Sequence, residues 1–174
     1  MLDVSVSYHR YKFLGYEFLT WLWFAIENEP KRFRNYLQKQ LTLQIGNRIK
    51  LENSRDRLSE TITIKGDEAG LEEGMLALRK GALVTELNLI CEIDSQSWQF
   101  TIKGENLNIG GLKTPATGGV EGKSDMEGSI LEKSYLYEEA IRVIDTLYKD
   151  YLNIRLSTDW IKKTVPKIKD WIYS

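Results

Sequence analysis

The sequence predicts an α+β fold: an antiparallel sheet, made of a hairpin plus a three-stranded meander, packed with helices at both chain ends. Apolar residues recur at helical spacing over 13–26 and again over 130–172. They alternate with a period of two over 41–64 and 83–109, and tight turns join the strands, which favours antiparallel pairing. The length of 174 residues suits one domain spanning 1–174, and a chain with 42% apolar residues and five Trp is not disordered.

The N-terminal region begins with Val and Ser alternating, which predicts a short strand or extended lead-in over 1–11. The run 13–26 follows helical spacing but is apolar on nearly all sides, so we expect a helix that is central or lies in an interface. Pro30 suits the first position of a helix and predicts a short second helix over 31–40.

The sheet is predicted from alternation and turn signals. The segment 41–51 alternates on both sides of Gly46-Asn47, which predicts a hairpin around a tight turn, and another strand follows at 58–64. The strands of the meander are predicted at 83–93, 98–102 and 107–109.

Three further helices and one loop complete the predicted organisation. The segment 67–80 reads as a helix, and 130–151 as a long helix with an apolar stripe that includes Leu131 and Ile141. Ser157-Thr158-Asp159 offers an N-cap for a final helix, in which Pro166 predicts a kink or a break. The glycine-rich segment 114–125 is predicted to be a mobile loop, because glycine costs the most backbone entropy to fix.

No specific catalytic constellation is present in the sequence. One His and one Cys exclude a conventional zinc site and an internal disulfide, and the apolar neighbours of Cys91 predict a small buried hydrophobe. Glu86, Glu92 and Asp94 are at even-numbered positions of one predicted strand, so their side chains are expected on the same face of the sheet. The simple interpretation is that this face is exposed to solvent; the alternative is that the three carboxylates bind the metal of a nuclease. We expect no enzyme, cofactor, metal or membrane segment, and no signal peptide.

The charge is unevenly distributed. The 24 Lys plus Arg and 25 Asp plus Glu give a net charge of −1, which argues against a uniformly basic nucleic-acid binder. Residues 31–50 nevertheless hold six bases and no acid, while 121–150 hold eight acids and four bases. A local basic patch remains able to contact phosphates, with a solvated surface as the alternative. The predicted nucleic-acid-binding residues are Lys31, Arg32, Arg34, Arg48, Lys50, Arg79, Lys80 and Lys113.

Large aromatic residues are concentrated on the helices at the two chain ends. They fit either the core or an oligomer interface, where Trp and Tyr are enriched. The predicted interface residues are Trp21, Trp23, Phe24, Trp160 and Trp171.

Three stretches together resemble one family. They are FLGYEFLTWLW at 13–23, LRKGALVTELNL at 78–89 followed by SWQFTIKGENLNIGGLK at 97–113, and, more weakly, the tail 145–172. They are similar to the C-terminal half of RdgC-like recombination-associated proteins, without that family's N-terminal half. The resemblance implies a non-catalytic α+β homodimer in the cytoplasm, associated with the nucleoid. It also implies a ring around duplex DNA that binds with little sequence preference and restrains RecA.

Two functions from different classes are therefore predicted. The first is a non-catalytic, sequence-independent DNA-binding protein in recombination, repair or their modulation. The alternative is a protein-interaction or adaptor subunit of a larger phage or defence complex, without DNA affinity. The expected partners are duplex DNA, a second copy of the chain, and a protein of a larger assembly.

Overall fold

A computed structural model describes residues 4–33, 35–36, 39–55, 58–64, 68–116 and 126–174. The helices are α1 (Val4–Asn28), α2 (Glu68–Arg79), α3 (Met126–Arg155) and α4 (Val165–Tyr173), with a 3₁₀ turn at Pro30–Phe33 and a π-helical segment at Trp160–Thr164. The strands are β1 (Asn35–Tyr36), β2 (Lys39–Arg55), β3 (Leu58–Ile64), β4 (Leu83–Ile93), β5 (Gln96–Lys103) and β6 (Ile109–Lys113). The predicted α+β fold with helices at both ends is confirmed.

All strand pairs of the sheet are antiparallel, in the order β2-β4-β5-β6 from one side to the other. Strands β1 and β3 both pair with the edge of β2 that faces away from β4. The meander β4-β5-β6 is present as predicted, although its third strand begins at Ile109 rather than Leu107. Leu107 instead takes a left-handed backbone conformation (φ 58°) at the end of the preceding turn.

The predicted hairpin turn at Gly46-Asn47 is wrong, because β2 runs straight through this dipeptide. The register against β4 shifts between Ile45 and Ile49, so the intervening residues bulge out of the ladder opposite Asn88. A Cβ at Gly46 would lie 2.0 Å from Oδ1 of Asn88. The glycine therefore makes room for an amide side chain rather than for a turn.

Two predictions for the N-terminal region are also wrong. Val4 already belongs to α1, because a helix that is anchored further along extends at low cost through residues that alone would not nucleate one. The predicted helix over 31–40 is limited to the 3₁₀ turn that ends at Phe33. Backbone pairing of Asn35 with Gln40 then begins the sheet.

The other helix predictions are close to the observed bounds. The predicted helices at 67–80 and 130–151 correspond to α2 and α3. The kink or break predicted at Pro166 does not appear as a break, because the backbone stays helical from Trp160 through Tyr173 and changes from π to α winding at Val165. Pro166 lies in the first turn of α4, where no backbone N–H is needed. Asp159 makes no cap hydrogen bond. Most of the predicted mobile loop, 117–125, lies outside the described residues.

The core forms between one face of the sheet and the helices. On β4 the buried residues of this core include Leu87, Leu89 and Cys91. On β5, Trp98 and Phe100 are buried as well. Helices α1 and α2 contact this sheet, α3 is joined to it through Trp98, and α4 packs on α1 and α2. The buried state predicted for Cys91 is confirmed, and the opposite face of the sheet is left for polar side chains.

Candidate functional site

The sheet has a solvent-facing side, which we call the open face. Neighbouring strands bring its outward residues side by side: Lys50 pairs with Glu86, Glu86 with Lys103, and Gln99 with Lys113. Ile90, paired with Gln44 and Gln99, lies on this face. Its polar side chains include Thr42, Gln44, Arg48, Lys50, Glu86, Asn88, Glu92, Gln99, Thr101, Lys103 and Lys113. It is a mixed polar surface with both signs of charge.

An amide network crosses the centre of the open face. Asn88 donates from Nδ2 to Thr101 Oγ1 (2.9 Å) and to the Phe100 carbonyl (3.1 Å), and its Oδ1 accepts from Gln99 Nε2 (3.0 Å). Lys113 Nζ donates to Gln99 Oε1 (3.3 Å). The network satisfies the buried amide of Asn88 and links β4, β5 and β6. Lys113, one of the predicted DNA contacts, is thereby engaged within the chain.

Two further predicted DNA contacts, Arg48 and Lys50, are paired with acids on the open face. Arg48 Nη2 lies 3.4 Å from Glu86 Oε2, and Lys50 Nζ lies 2.7 Å from Glu52 Oε1. The hydrogen bond that Lys50 donates to Glu52 raises the pKa of Lys50. These bases are therefore largely neutralised by their own neighbours.

Arg32 is held by contacts between elements of the fold. Its Nε and Nη2 donate to the two oxygens of Asp150 on α3 (2.9 and 3.2 Å), and its Nη1 donates to Glu29 Oε2 (3.2 Å). The guanidinium also lies 5.3 Å from the ring centroid of Trp21. Arg32 thus connects the 3₁₀ turn after α1 to α3, while the neighbouring Lys31 is exposed.

The third group of predicted contacts follows α2. Arg79 Nε donates to the carbonyl of Ile172 in the last turn of α4 (2.6 Å), and Lys80 beside it is exposed. Arg34 lies outside the described residues. Seven of the eight predicted DNA contacts are therefore described, and they lie in three parts of the fold. Lys31 and Arg32 follow α1, Arg48, Lys50 and Lys113 lie on the open face, and Arg79 and Lys80 lie at the end of α2.

Four of the five predicted interface aromatics need correction. Trp21, Trp23, Phe24 and Trp160 are almost fully buried within the chain itself, so the core interpretation replaces the interface one. The physical reason is that aromatic rings from α1, α3 and the π-helical segment pack together. The ring centroid of Tyr151 lies 5.6 Å from that of Trp21 and 5.8 Å from that of Trp160. Trp171 is half-buried, on α4.

Sequence reasoning missed an exposed apolar surface on α3. Leu136 is the first buried residue among the described side chains of this helix, so the helix begins outside the core. Its exposed stripe, a name we keep below, consists of Ile130, Leu131, Tyr135, Tyr137 and Ile141, each 48–70% exposed. The sequence assigned Leu131 and Ile141 to the core stripe. The signal that distinguishes the two stripes is that α3 has more apolar positions than one buried face can hold.

The acidic residues proposed for a nuclease are held apart. Glu86 is engaged by Arg48, and Asp94 lies in the β4–β5 turn with φ 48°. Within the described ranges, no group of three His, Cys, Asp or Glu residues is placed to hold a metal ion. None of the described helices is both long and apolar enough to cross a membrane.

The chain was compared with known proteins. No family model matches it, and neither do any curated proteins or solved structures. The resemblance to RdgC-like proteins therefore stays a prediction.

Proposed function

We propose that this chain is a protein-interaction subunit of a larger assembly and that it binds its partner through the exposed stripe of α3. The observation that carries the proposal is the stripe itself: five large apolar residues, each 48–70% exposed, within 130–141 of α3, three of which precede its first buried described residue, Leu136. Large apolar residues exposed together on one helix segment are typical of protein contacts, particularly where Tyr contributes.

The placement of the basic residues favours this proposal over DNA binding. A phosphate contact requires a cation that is free to exchange its counterions for the backbone. Arg32, Arg48 and Lys50 are instead paired with carboxylates of the chain. The predicted cations also belong to three different parts of the fold.

DNA binding on the open face is a second candidate, because one observation favours it. Four cations share that face, namely Arg48, Lys50, Lys103 and Lys113, and hydroxyl and amide side chains lie among them. Such groups contact phosphates and sugars in protein–DNA complexes. We rank DNA binding below the protein-interaction proposal because Glu52 and Glu86 lie next to Lys50 and reduce the positive charge of this face.

The proposed function is tested by the mass of the complex formed with proteins encoded beside this chain, measured by light scattering after size exclusion. The variant Ile130→Glu/Ile141→Glu should abolish the complex, because it puts charge into the proposed interface. The matched control is Leu156→Glu/Ile161→Glu, which makes the same change at residues 84% and 75% exposed outside the stripe. A complex lost equally in both variants, or in neither, contradicts the proposal; a homodimer lost only with the stripe variant supports it with a second copy as partner.

The DNA candidate is tested by fluorescence anisotropy on a labelled duplex at low and moderate salt. We expect no salt-dependent binding by the wild-type chain. Binding that disappears in Arg48→Glu/Lys50→Glu but persists in Lys31→Glu would favour the open face as a DNA-binding surface. That result, without any complex that depends on the stripe, would overturn the first proposal.

A further inference from the structure

A cavity of about 360 Å³ lies where α1, α2, α4 and the first residue of β4 meet. Its walls are mainly apolar, and Leu78, Leu83, Trp160, Ile168 and Ile172 are among them. Leu83 is 50% exposed at its edge, so the cavity opens to solvent. The volume is within the roughly 300–1,000 Å³ that small-molecule sites occupy.

The lining of this cavity contains one ammonium group and one carboxylate, and only the carboxylate is paired within the described part of the chain. Lys169 lines it, is exposed, and makes no ion pair with the described part of the chain. Arg79 is fixed beside it by the hydrogen bond to Ile172. The carboxylate in the lining, Glu17, is neutralised by Arg155, whose Nε lies 2.7 Å from Glu17 Oε1.

We propose that this cavity binds a single-chain anionic amphiphile, with its acyl tail against the apolar walls and its carboxylate beside Lys169. Each methylene that leaves water for these walls favours binding, and the ammonium group of Lys169, which has no ion pair among the described residues, selects a negative head group. The small volume fits one tail rather than the paired tails of a membrane lipid. This site is separate from the exposed stripe of α3 and does not depend on the proposed protein partner.

The probe is decanoate below its micelle concentration, added to the full 174-residue chain and followed by isothermal titration calorimetry and thermal unfolding. Decanol and decyltrimethylammonium carry a tail of the same length with a neutral or a positive head. Decanoate should bind saturably, raise the unfolding temperature, and bind at least several-fold more tightly than either control. Equal binding of all three amphiphiles, or binding of none, overturns the proposal.

Two pairs of variants test the placement of the ligand. Lys169→Glu should weaken decanoate binding roughly three- to tenfold, since it replaces an attraction with a repulsion at a partly exposed site. The matched control Lys162→Glu, at an exposed lysine outside the lining, should leave binding unchanged.

Leu83→Gln removes part of the apolar wall, whereas Leu76→Gln makes the same change at a leucine with nearly the same exposure (49%) outside the lining. Only the first should weaken binding, and both residues are exposed enough for the fold to tolerate the change. Equal effects within either pair contradict the site. Binding to vesicles that contain phosphatidylserine without binding of monomeric decanoate would identify a membrane surface as the ligand and overturn the single-chain proposal.

Discussion

Cys91 is the only cysteine, and it is enclosed by the core face of β4. Burial raises the pKa of its thiol to about 12, because a thiolate would have to form away from water. We expect native protein at pH 8 to react with Ellman's reagent far more slowly than the same chain in guanidinium. Reaction of the native protein as fast as that of the denatured chain would contradict the buried placement.

Gly15 marks the closest approach of α1 to the β5–β6 turn. A Cβ at this position would lie 1.8 Å from the carbonyl oxygen of Gly104, which is backbone and cannot rotate away. Gly15→Ala should therefore destabilise the fold by about 1–3 kcal/mol in denaturant unfolding, despite the better helix propensity of alanine. Gly110→Ala is the control, because no atom lies within 4 Å of its Cβ position. Equal stability of the two variants would contradict this packing.

At the residue scale, the sequence predicts the structure well where a local pattern is compatible with only one structural role. Apolar neighbours were enough to predict the burial of Cys91. Gly46-Asn47 was misread because a bulge and a hairpin turn use the same residue types, and only the space required by Asn88 distinguishes them. That space is a tertiary property, which a local pattern does not contain.

At the scale of secondary-structure elements, Glu27 connects α1 to α4, the last helix of the chain. Its two carboxylate oxygens accept from the indole N–H groups of Trp23 on α1 (2.5 Å) and Trp171 on α4 (3.1 Å). Burial raises the pKa of Glu27, and the two hydrogen bonds oppose that rise. Glu27→Gln leaves one indole facing an amide donor, so we expect a loss of about 1 kcal/mol in denaturant unfolding.

The control for this variant is Glu138→Gln on the exposed side of α3, which should change stability by less than about 0.5 kcal/mol. A Glu27→Gln protein as stable as this control would show that the carboxylate does not hold α4 in place.

Glu29 gives the contact between α1 and α4 a pH dependence. It accepts from Lys167 Nζ (3.0 Å) and Arg32 Nη1 (3.2 Å). Burial opposes the charge, but the two cations outweigh it and lower the pKa of Glu29 below its ordinary 4.5. A lowered carboxyl pKa means that the stability contribution is complete above pH 4.5 and is lost as the pH falls through the folded-state pKa.

The stability difference between wild type and Glu29→Gln should thus be about 0.5–1 kcal/mol at pH 7. It should shrink toward zero as unfolding is measured at successively lower pH down to 3. A difference that stays constant over this range would contradict the ionic origin of the contact.

Elements were predictable where the alternation was long enough to define a face. Strands β4 and β5 alternate over 8–11 residues, and their predicted positions agree with the structure. The start of α1 and the segment 31–40 have no such run. Their structure is set by the extension of a helix already anchored in the core and by pairing of Asn35 with Gln40.

The whole molecule should unfold as one cooperative unit. Its five tryptophans lie on α1, β5, the π-helical segment and α4, and they belong to or pack against one continuous core. Tryptophan fluorescence and far-UV circular dichroism should therefore give coincident denaturation curves. Separate midpoints would show that the C-terminal helices unfold independently of the sheet.

The candidate sites were less predictable than the fold. Counts of charge along the chain indicated a basic segment at 31–50, but they do not show that Arg32 faces Asp150, 118 residues away. Likewise, an apolar periodicity indicates that α3 packs against something without telling the core from a partner. The pairing of side chains across the fold decides both questions.

The π-helical segment before α4 has a consequence for tolerance to insertions and deletions. Its turn is closed by the Val165 N–H and the Trp160 carbonyl, so it contains one residue more than an α-helical turn. Deleting a single residue there would restore α-helical winding with little rotation of the later side chains, because the π turn already accommodates one extra residue. Trp171 would still face Glu27, whereas the same deletion inside α4 before Trp171 would rotate that side chain by about 100° around the axis. The π turn is thus the place in the last helix where the loss of one residue is best tolerated.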